Sequence, residues 1–281
     1  MRQVPIPRCS LVTSRIAFGT ASVHHLTSAR ERLRLLDACV AHGITHFDTA
    51  PMYGEGMAER TLGALLASNS RSSVTVATKV GFPPRYFSMT VPPLMYLRKT
   101  VEGGMRRMGV TVPAKRRREL AASSLESCFV GSLRRLGTDY VDILFVHEPT
   151  VEEADRIEDV AAWCMQQRRG GRARYIGLAG HAADAATLAR RVPDVFDILQ
   201  VEDSLAGCDA DAVLSAGYPL QITYGYFRTM HRERGVSQAE PVDAAGVMQA
   251  AFERNPFGAI IVSTRSASRV VDLARLASMR S

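Results

Sequence analysis

Lysine is scarce in this chain of 281 residues: Lys79, Lys99 and Lys115 are the only three among 35 basic residues, and the rest are arginine. A lysine at the end of an apolar strand is therefore a rare choice rather than background. Long apolar runs are also missing. None reaches the roughly 20 residues that a membrane span needs. The opening stretch, MRQVPIPRCSLVTSRIAFGT, has no apolar core of the kind a secretory signal requires. These two absences predict a cytoplasmic protein without membrane contact. The five cysteines, Cys9, Cys39, Cys128, Cys164 and Cys208, are odd in number and widely spaced. No pair shows the short spacing of a zinc or redox motif, so reduced thiols and no metal centre are expected. The first strand-to-helix turn, FGTASVHHL, lacks GxGxxG, which weighs against an open dinucleotide-binding sheet.

Charge is present but unevenly spread. The net charge is +7, and residues 82–118 hold nine lysines and arginines against the single acid Glu102. The basic balance belongs to that one segment, so no nucleic-acid-binding face spread over the protein is expected. The charge of the segment suits an anionic substrate, a phosphate-bearing cofactor tail or an acidic partner protein.

Eight short β-branched runs stand at 15–20, 45–50, 74–81, 140–148, 173–180, 197–202, 219–226 and 258–264. They alternate with helical periodicities at 28–43, 57–68, 119–137, 156–171, 185–192, 243–255 and 266–277. In the first helical run, Leu33, Leu36 and Val40 share one face. Such alternation predicts parallel βα units. Their number and the chain length favour an α/β fold of the (β/α)8 TIM-barrel type, a single domain over 1–281. Residues 1–14 read as a hairpin closing the barrel floor. The basic segment 82–118 is too long for an ordinary connection. It follows the third run, which puts this insert on the face where barrel active sites lie, as a lid.

Four polar residues end apolar runs: Asp48 and, shortly after, Tyr53 on the second run, Lys79 on the third and His147 on the fourth. Alone, each has an ordinary structural reading. Asp48 can cap a turn, Tyr53 can pack with its hydroxyl on backbone, and His147 can be a satisfied core histidine. Lys79 is harder to place, because a buried ammonium is costly unless paired. In a barrel the strand ends converge on one mouth. A phenol titrates near 10 and is a poor acid at neutral pH. A nearby ammonium lowers that value, and Asp48 can pair with and fix Lys79. A neutral His147 can orient a carbonyl oxygen. Together they predict acid–base catalysis by Tyr53 while a nicotinamide carries a hydride.

The stretch FDTAPMYGEGMAERTLG (47–63), with Gly43, Thr78-Lys79, LRRLGTDYVDILFVHEP (133–149), RARYIGLAG (172–180), ILQVE (198–202) and IVSTRSASRV (261–270), resembles the aldo-keto reductases. The likeness covers residues 15–277. It implies a catalytic tetrad of Asp48, Tyr53, Lys79 and His147, acting on a small-molecule carbonyl or alcohol. It also implies a dinucleotide across the mouth, with Gly19, Thr20 and Asp48 at the nicotinamide ribose. Gln200 would meet the carboxamide, and Tyr224 would stack on the ring; core packing is the plain alternative for Tyr224. Ser263, Thr264, Arg265 and Arg269 resemble the site for the adenosine 2′-phosphate, which favours NADP(H) over NAD(H). A solvated helix start is the plain alternative for Arg265.

Several positions depart from the family pattern. Ala179-Gly180-His181 stand where Ser-Asn is usual, Val262-Ser263 replace Pro-Gly, and Ser268 replaces an acid. ITYGYFRTMHRERG replaces the usual loop after the seventh run. DTAPMYG also resembles a branch that oxidises sugars, so an NAD(P)-dependent aldose dehydrogenase is an alternative. A non-catalytic nucleotide-sensing protein on the same fold is another.

Overall fold

The computed structural model describes residues 1–84, 117–233, 235 and 243–278. The chain opens on an antiparallel hairpin, β1 (Gln3–Pro5) and β2 (Val12–Ser14). Eight strands follow: β3 (Ile16–Gly19), β4 (His46–Asp48), β5 (Thr75–Val80), β6 (Val141–His147), β7 (Ala173–Gly180), β8 (Ile198–Glu202), β9 (Ile222–Tyr224) and β10 (Ala259–Val262). They pair in parallel in the order β10-β3-β4-β5-β6-β7-β8-β9 and close into a barrel. Between them run α1 (Ala29–Ala41), α2 (Met57–Ser68), α3 (Ala122–Leu136), α4 (Ile157–Arg169), α5 (Ala182–Arg191), α6 (Asp211–Ser215), α7 (Tyr226–Glu233), α8 (Ala244–Arg254) and α9 (Ala267–Ser278). The (β/α)8 expectation holds, and each expected strand run contains a barrel strand.

Local chemistry accounts for the element ends. Ser28 precedes α1 and its hydroxyl accepts from the Glu31 amide at 3.4 Å, which satisfies one of the orphan donors of the first turn. The buried stripe of α1 is Leu35, Leu36 and Cys39. It lies beside the expected Leu33, Leu36 and Val40, of which only Leu36 is fully buried. Helix α3 stops at Gly137 in a left-handed conformation, whose amide reaches back to Leu133 O. Strand β6 is buried at every position, as befits a parallel strand covered on both faces.

The hairpin closes the barrel floor. Ile6 and Leu11 pack inside against Ala77, Ile143, Ile198, Ile222 and Ala259, and Gln221 Nε2 donates to Pro7 O at 2.7 Å. One end of the barrel is thus plugged, and the C-terminal strand ends form the mouth. Two elements differ from expectation. The seventh run ends at Tyr224, where Gly225 turns left-handed with φ of 108°, and Tyr226 begins α7. The Tyr226 hydroxyl bonds Asp203 Oδ2 and Thr223 Oγ1, which fixes that new start. The short α6 carried no periodicity of its own. The lid expectation for 82–118 falls almost wholly on residues 85–116, outside the described residues. Among the described residues no helix is long and apolar enough to cross a membrane.

Candidate active site

Asp48 ends β4, Lys79 stands one residue before the end of β5, and His147 ends β6. Parallel register sets Asp48 beside Gly19 and His147 beside Ala179, so the three side chains rise around one side of the mouth. Tyr53 arrives on the loop after β4. Thr49 N bonds Ala77 O at 2.9 Å and Tyr53 N bonds Ala50 O at 3.0 Å. Gly54, Glu55 and Gly56 then take φ of 59°, 56° and 83°. This left-handed run folds the chain back over the mouth before α2 begins. A Cβ on Gly54 would lie 2.4 Å from His24 Cβ, so only glycine fits there. Behind the loop, wholly buried Glu59 accepts from Thr78 Oγ1 at 2.7 Å and Arg135 Nε at 2.6 Å. Glu59 therefore ties α2 to β5 and α3, and holds the loop that carries Tyr53.

Lys79 Nζ lies 2.5 Å from Asp48 Oδ1 and 3.0 Å from Thr49 O. Both partners are buried, so the pair answers the desolvation of either charge. The ammonium sits 5.0 Å from the Tyr53 ring centroid. The Tyr53 and His147 rings meet edge to face, with centroids 6.2 Å apart. On the far side of His147, Phe82 stands edge-on at 5.4 Å. Asp48, Tyr53, Lys79 and His147 are thus one cluster.

The electrostatics differ from expectation at one point. Burial pushes the Tyr53 phenol well above its ordinary value, and the carboxylates of Asp48 and Glu148 push it further. The expected lowering by Lys79 does not prevail. Asp48 holds the ammonium close and offsets its charge, and burial itself pulls the Lys79 ammonium down. Tyr53 therefore stays protonated throughout the neutral range.

The residues expected at a cofactor fall into three groups. Gly19, Thr20, Asp48 and Ser263 form a ledge across β10, β3 and β4. Ser263 Oγ donates to Gly19 O at 2.8 Å and Thr20 Oγ1 donates to Asp48 O at 3.0 Å. A Cβ on Gly19 would lie 2.5 Å from Ser263 Oγ. In the second group, Gln200 is buried on β8, and its Oε1 has no hydrogen-bond partner among the described residues. Tyr224 is half-buried and opposite Glu202 in register. It ends β9 and so stands at the same mouth, where burial, Glu202, Glu148 and Tyr53 all raise its phenol. The third group opens α9. Buried Thr264 accepts from Ser266 N at 3.2 Å, and Ser266 Oγ accepts from Arg269 N at 3.4 Å. Arg265 and Arg269 are exposed around this first turn.

A family model described as "Aldo/keto reductase family" matches residues 15–211, well over half of the chain. The chain belongs to the aldo/keto reductase family. A curated relative, D-threo-aldose 1-dehydrogenase of a Pseudomonas species, is 30% identical over 203 residues, 68% of this chain and 57% of that protein. L-galactose dehydrogenase of Arabidopsis thaliana is 31% identical over 179 residues, 62% of this chain and 44% of that protein. The aligned stretch thus spans about half the length of these curated relatives. Among solved structures, the aldo-keto reductase from Klebsiella pneumoniae in complex with NADPH superposes with a TM-score of 0.69 at 20% identity, covering 99% of this chain and 90% of that one.

In this aldo/keto reductase the sequence reading passed over three mouth residues. Phe82 faces His147, and Arg118 stacks its guanidinium 5.2 Å from the Phe82 centroid while pairing with Glu153. Both stand at the ends of the basic insert, where they were counted as lid or as charge. The third is Glu148, next after His147. The signal was a carboxylate placed beside the expected histidine. His181, the residue after Gly180, is exposed at the start of α5.

Proposed function

We propose that this aldo/keto reductase is an NADP(H)-dependent oxidoreductase acting on a carbonyl or alcohol, with Tyr53 as general acid and base. The observation that carries the reading is the buried Lys79–Asp48 pair beneath Tyr53, with His147 edge-on to the phenol. An ion pair excluded from water, beside a protonated phenol and an imidazole, has little structural purpose that apolar packing would not serve as well.

The residues present fit a nicotinamide dinucleotide. The orphaned, buried Gln200 Oε1 calls for a donor such as the carboxamide amine. Gly19, Thr20 and Asp48 would hold the ribose, and Tyr224 would lie on the ring. Ser263, Thr264, Arg265 and Arg269, at the start of α9, would hold the 2′-phosphate. Guanidinium groups at a helix N-terminus suit a phosphate dianion, and the NADPH complex of the Klebsiella relative supports the same choice. Bound there, the nicotinamide supplies or accepts the hydride. His147 donates a hydrogen bond to the substrate oxygen and orients it. Tyr53, protonated at neutral pH, gives its proton to that oxygen in reduction and takes it back in oxidation. Lys79 stabilises the phenolate left behind, and Asp48 fixes Lys79. Phe82 closes the imidazole's far side.

The reverse direction, oxidation of an aldose, is a second reading. It is favoured by the two sugar dehydrogenases among the relatives. Five free thiols suit the reducing cytoplasm, where we place the protein.

The test is a titration with NADPH and NADH, on wild type and Arg265→Ala, followed by a carbonyl and aldose turnover panel. The expected outcome is tighter NADPH than NADH binding, with the preference falling about tenfold in the variant, or ~1.4 kcal/mol. Failure of both nucleotides to bind would contradict the proposal.

A further inference from the structure

β7 ends on Ala179-Gly180, and the proposed reaction gives Gly180 no role. The space a side chain would need there is taken by Glu148. A Cβ on Gly180 would lie 2.9 Å from Glu148 Cα, and Glu148 N donates to Ala179 O at 2.5 Å. Glu148 sits in the left-handed region with φ of 48°, a conformation that a residue with a Cβ seldom adopts. Strained backbone of this kind persists where the surroundings impose it, and it clusters at functional sites. Here the strain places an exposed carboxylate immediately after His147. Among the described residues no side chain pairs with that carboxylate. The other acid of this rim, Glu202, is matched by Arg228 at 2.7 Å. The charge of Glu148 reaches Tyr53 and Lys79 on one side of the mouth and Tyr224 on the other. Both a strained backbone and a charge that opposes the phenolate are retained at this one residue.

We propose that Glu148 is a substrate-recognition residue, accepting hydrogen bonds from hydroxyl groups next to the reacting carbonyl, so that the site selects polyhydroxylated over anionic substrates. The reading rests on the oxidoreductase function proposed above. A carboxylate only accepts hydrogen bonds, so its partner carries O–H or N–H groups. A substrate carboxylate or phosphate at the reacting end would meet a like charge. Lys79 and Arg228 are already matched by Asp48 and Glu202, so Glu148 is the unmatched charge of this rim. A polyol without an acidic group meets no such penalty. Gly180 is then the positioning residue that admits the Glu148 backbone.

The experiment measures NADPH-dependent reduction of four aldehydes by wild type, Glu148→Gln and Glu148→Gly. Glyceraldehyde and propanal share a carbon chain and differ in hydroxyls; 4-oxobutanoate and butanal differ in one carboxylate. Wild type should favour glyceraldehyde over propanal in kcat/KM and disfavour 4-oxobutanoate relative to butanal. In Glu148→Gln the glyceraldehyde-to-propanal ratio should fall about tenfold, through KM, as expected for a lost charge-assisted hydrogen bond. The penalty on 4-oxobutanoate should shrink. Glu148→Gly, which relaxes the left-handed backbone, should shift both ratios the same way, so a folding defect in one variant does not decide the matter. Unchanged ratios in an active wild type and variants would overturn this inference alone. So would an equal loss on all four aldehydes with weaker NADPH binding, which would assign the carboxylate to the cofactor. A wild type that reduces none of the four would bring down the underlying oxidoreductase reading as well.

Discussion

On the β4–β6 side of the mouth, polar side chains stand on strand ends or on a loop braced by Glu59 and Arg135. Asp48, Lys79 and His147 are all buried there. On the β10 side, Arg265 and Arg269 are exposed just before and within the first turn of α9, and Thr264, Ser266 and Ser268 order that turn through local bonds. The first region has its electrostatics built into the core, so under the proposed chemistry a change in it should disturb fold and rate together. The second is a pair of surface guanidinium groups, so under the same proposal a change in it should alter cofactor affinity and leave the core alone. The β7 end lies between the two in the barrel order.

The sharpest way to break this contrast is Lys79→Met. It leaves Asp48 as an uncompensated buried carboxylate, a loss expected to cost about 3–5 kcal/mol of stability. Denaturant unfolding should show that cost alongside a collapse in turnover. A variant as stable as wild type would mean the pair is not buried as described.

Acid titration probes the same core from below. Burial holds the His46 imidazole neutral, lowering it from its ordinary 6.5 to about 4, with Asp48, Asp142 and Lys79 as smaller influences. The unfolded chain takes up that proton first as the pH falls. The contribution is therefore complete above about 6.5 and drains away towards about 4, with a full value of about 3 kcal/mol. His46→Asn, which can still meet Thr75 Oγ1, should flatten the stability slope across this window. Parallel slopes for variant and wild type would refute the assignment.

At the binding side, Gln200→Met replaces the orphaned acceptor. It should weaken NADPH binding by about 1–3 kcal/mol while leaving thermal stability unchanged or raised. A loss of stability without a loss of affinity would invert the contrast.

A smaller effect concerns direction and pH. With Tyr53 held above its ordinary value by burial, Asp48 and Glu148, the acid form is complete at neutrality. Reduction should be nearly flat in kcat/KM across the neutral range, while oxidation should rise with pH and show no plateau near neutrality. A neutral plateau in oxidation would mean that another group carries the proton.

The sequence made the barrel legible because β-branched runs and amphipathic runs keep separate periods, and because hairpin residues Ile6 and Leu11 flank a turn. It made the cluster legible because Asp48, Lys79 and His147 each interrupt an apolar strand at its end. What it hid was spatial. The stripe of α1 was displaced to Leu35, Leu36 and Cys39 by packing that periodicity alone does not fix. Helix α7 was hidden because the seventh run continues in sequence through Gly225 to Tyr226. The sign of the Tyr53 shift was missed because burial, Asp48 and Glu148 all raise the phenol, and Asp48 offsets part of the Lys79 charge that was to lower it. Glu148 was overlooked because only the contact with Gly180 brings its neighbourhood into view. Of the insert expected at 82–118, residues 85–116 lie outside the described residues.

The central claim is that Tyr53 transfers the proton while the rest of the site binds and orients. Tyr53→Phe tests it most directly, with NADPH binding and aldehyde reduction measured on the same preparation. The account predicts NADPH affinity within about twofold of wild type and a turnover loss of about 10²–10⁴. Retained turnover in Tyr53→Phe would contradict it.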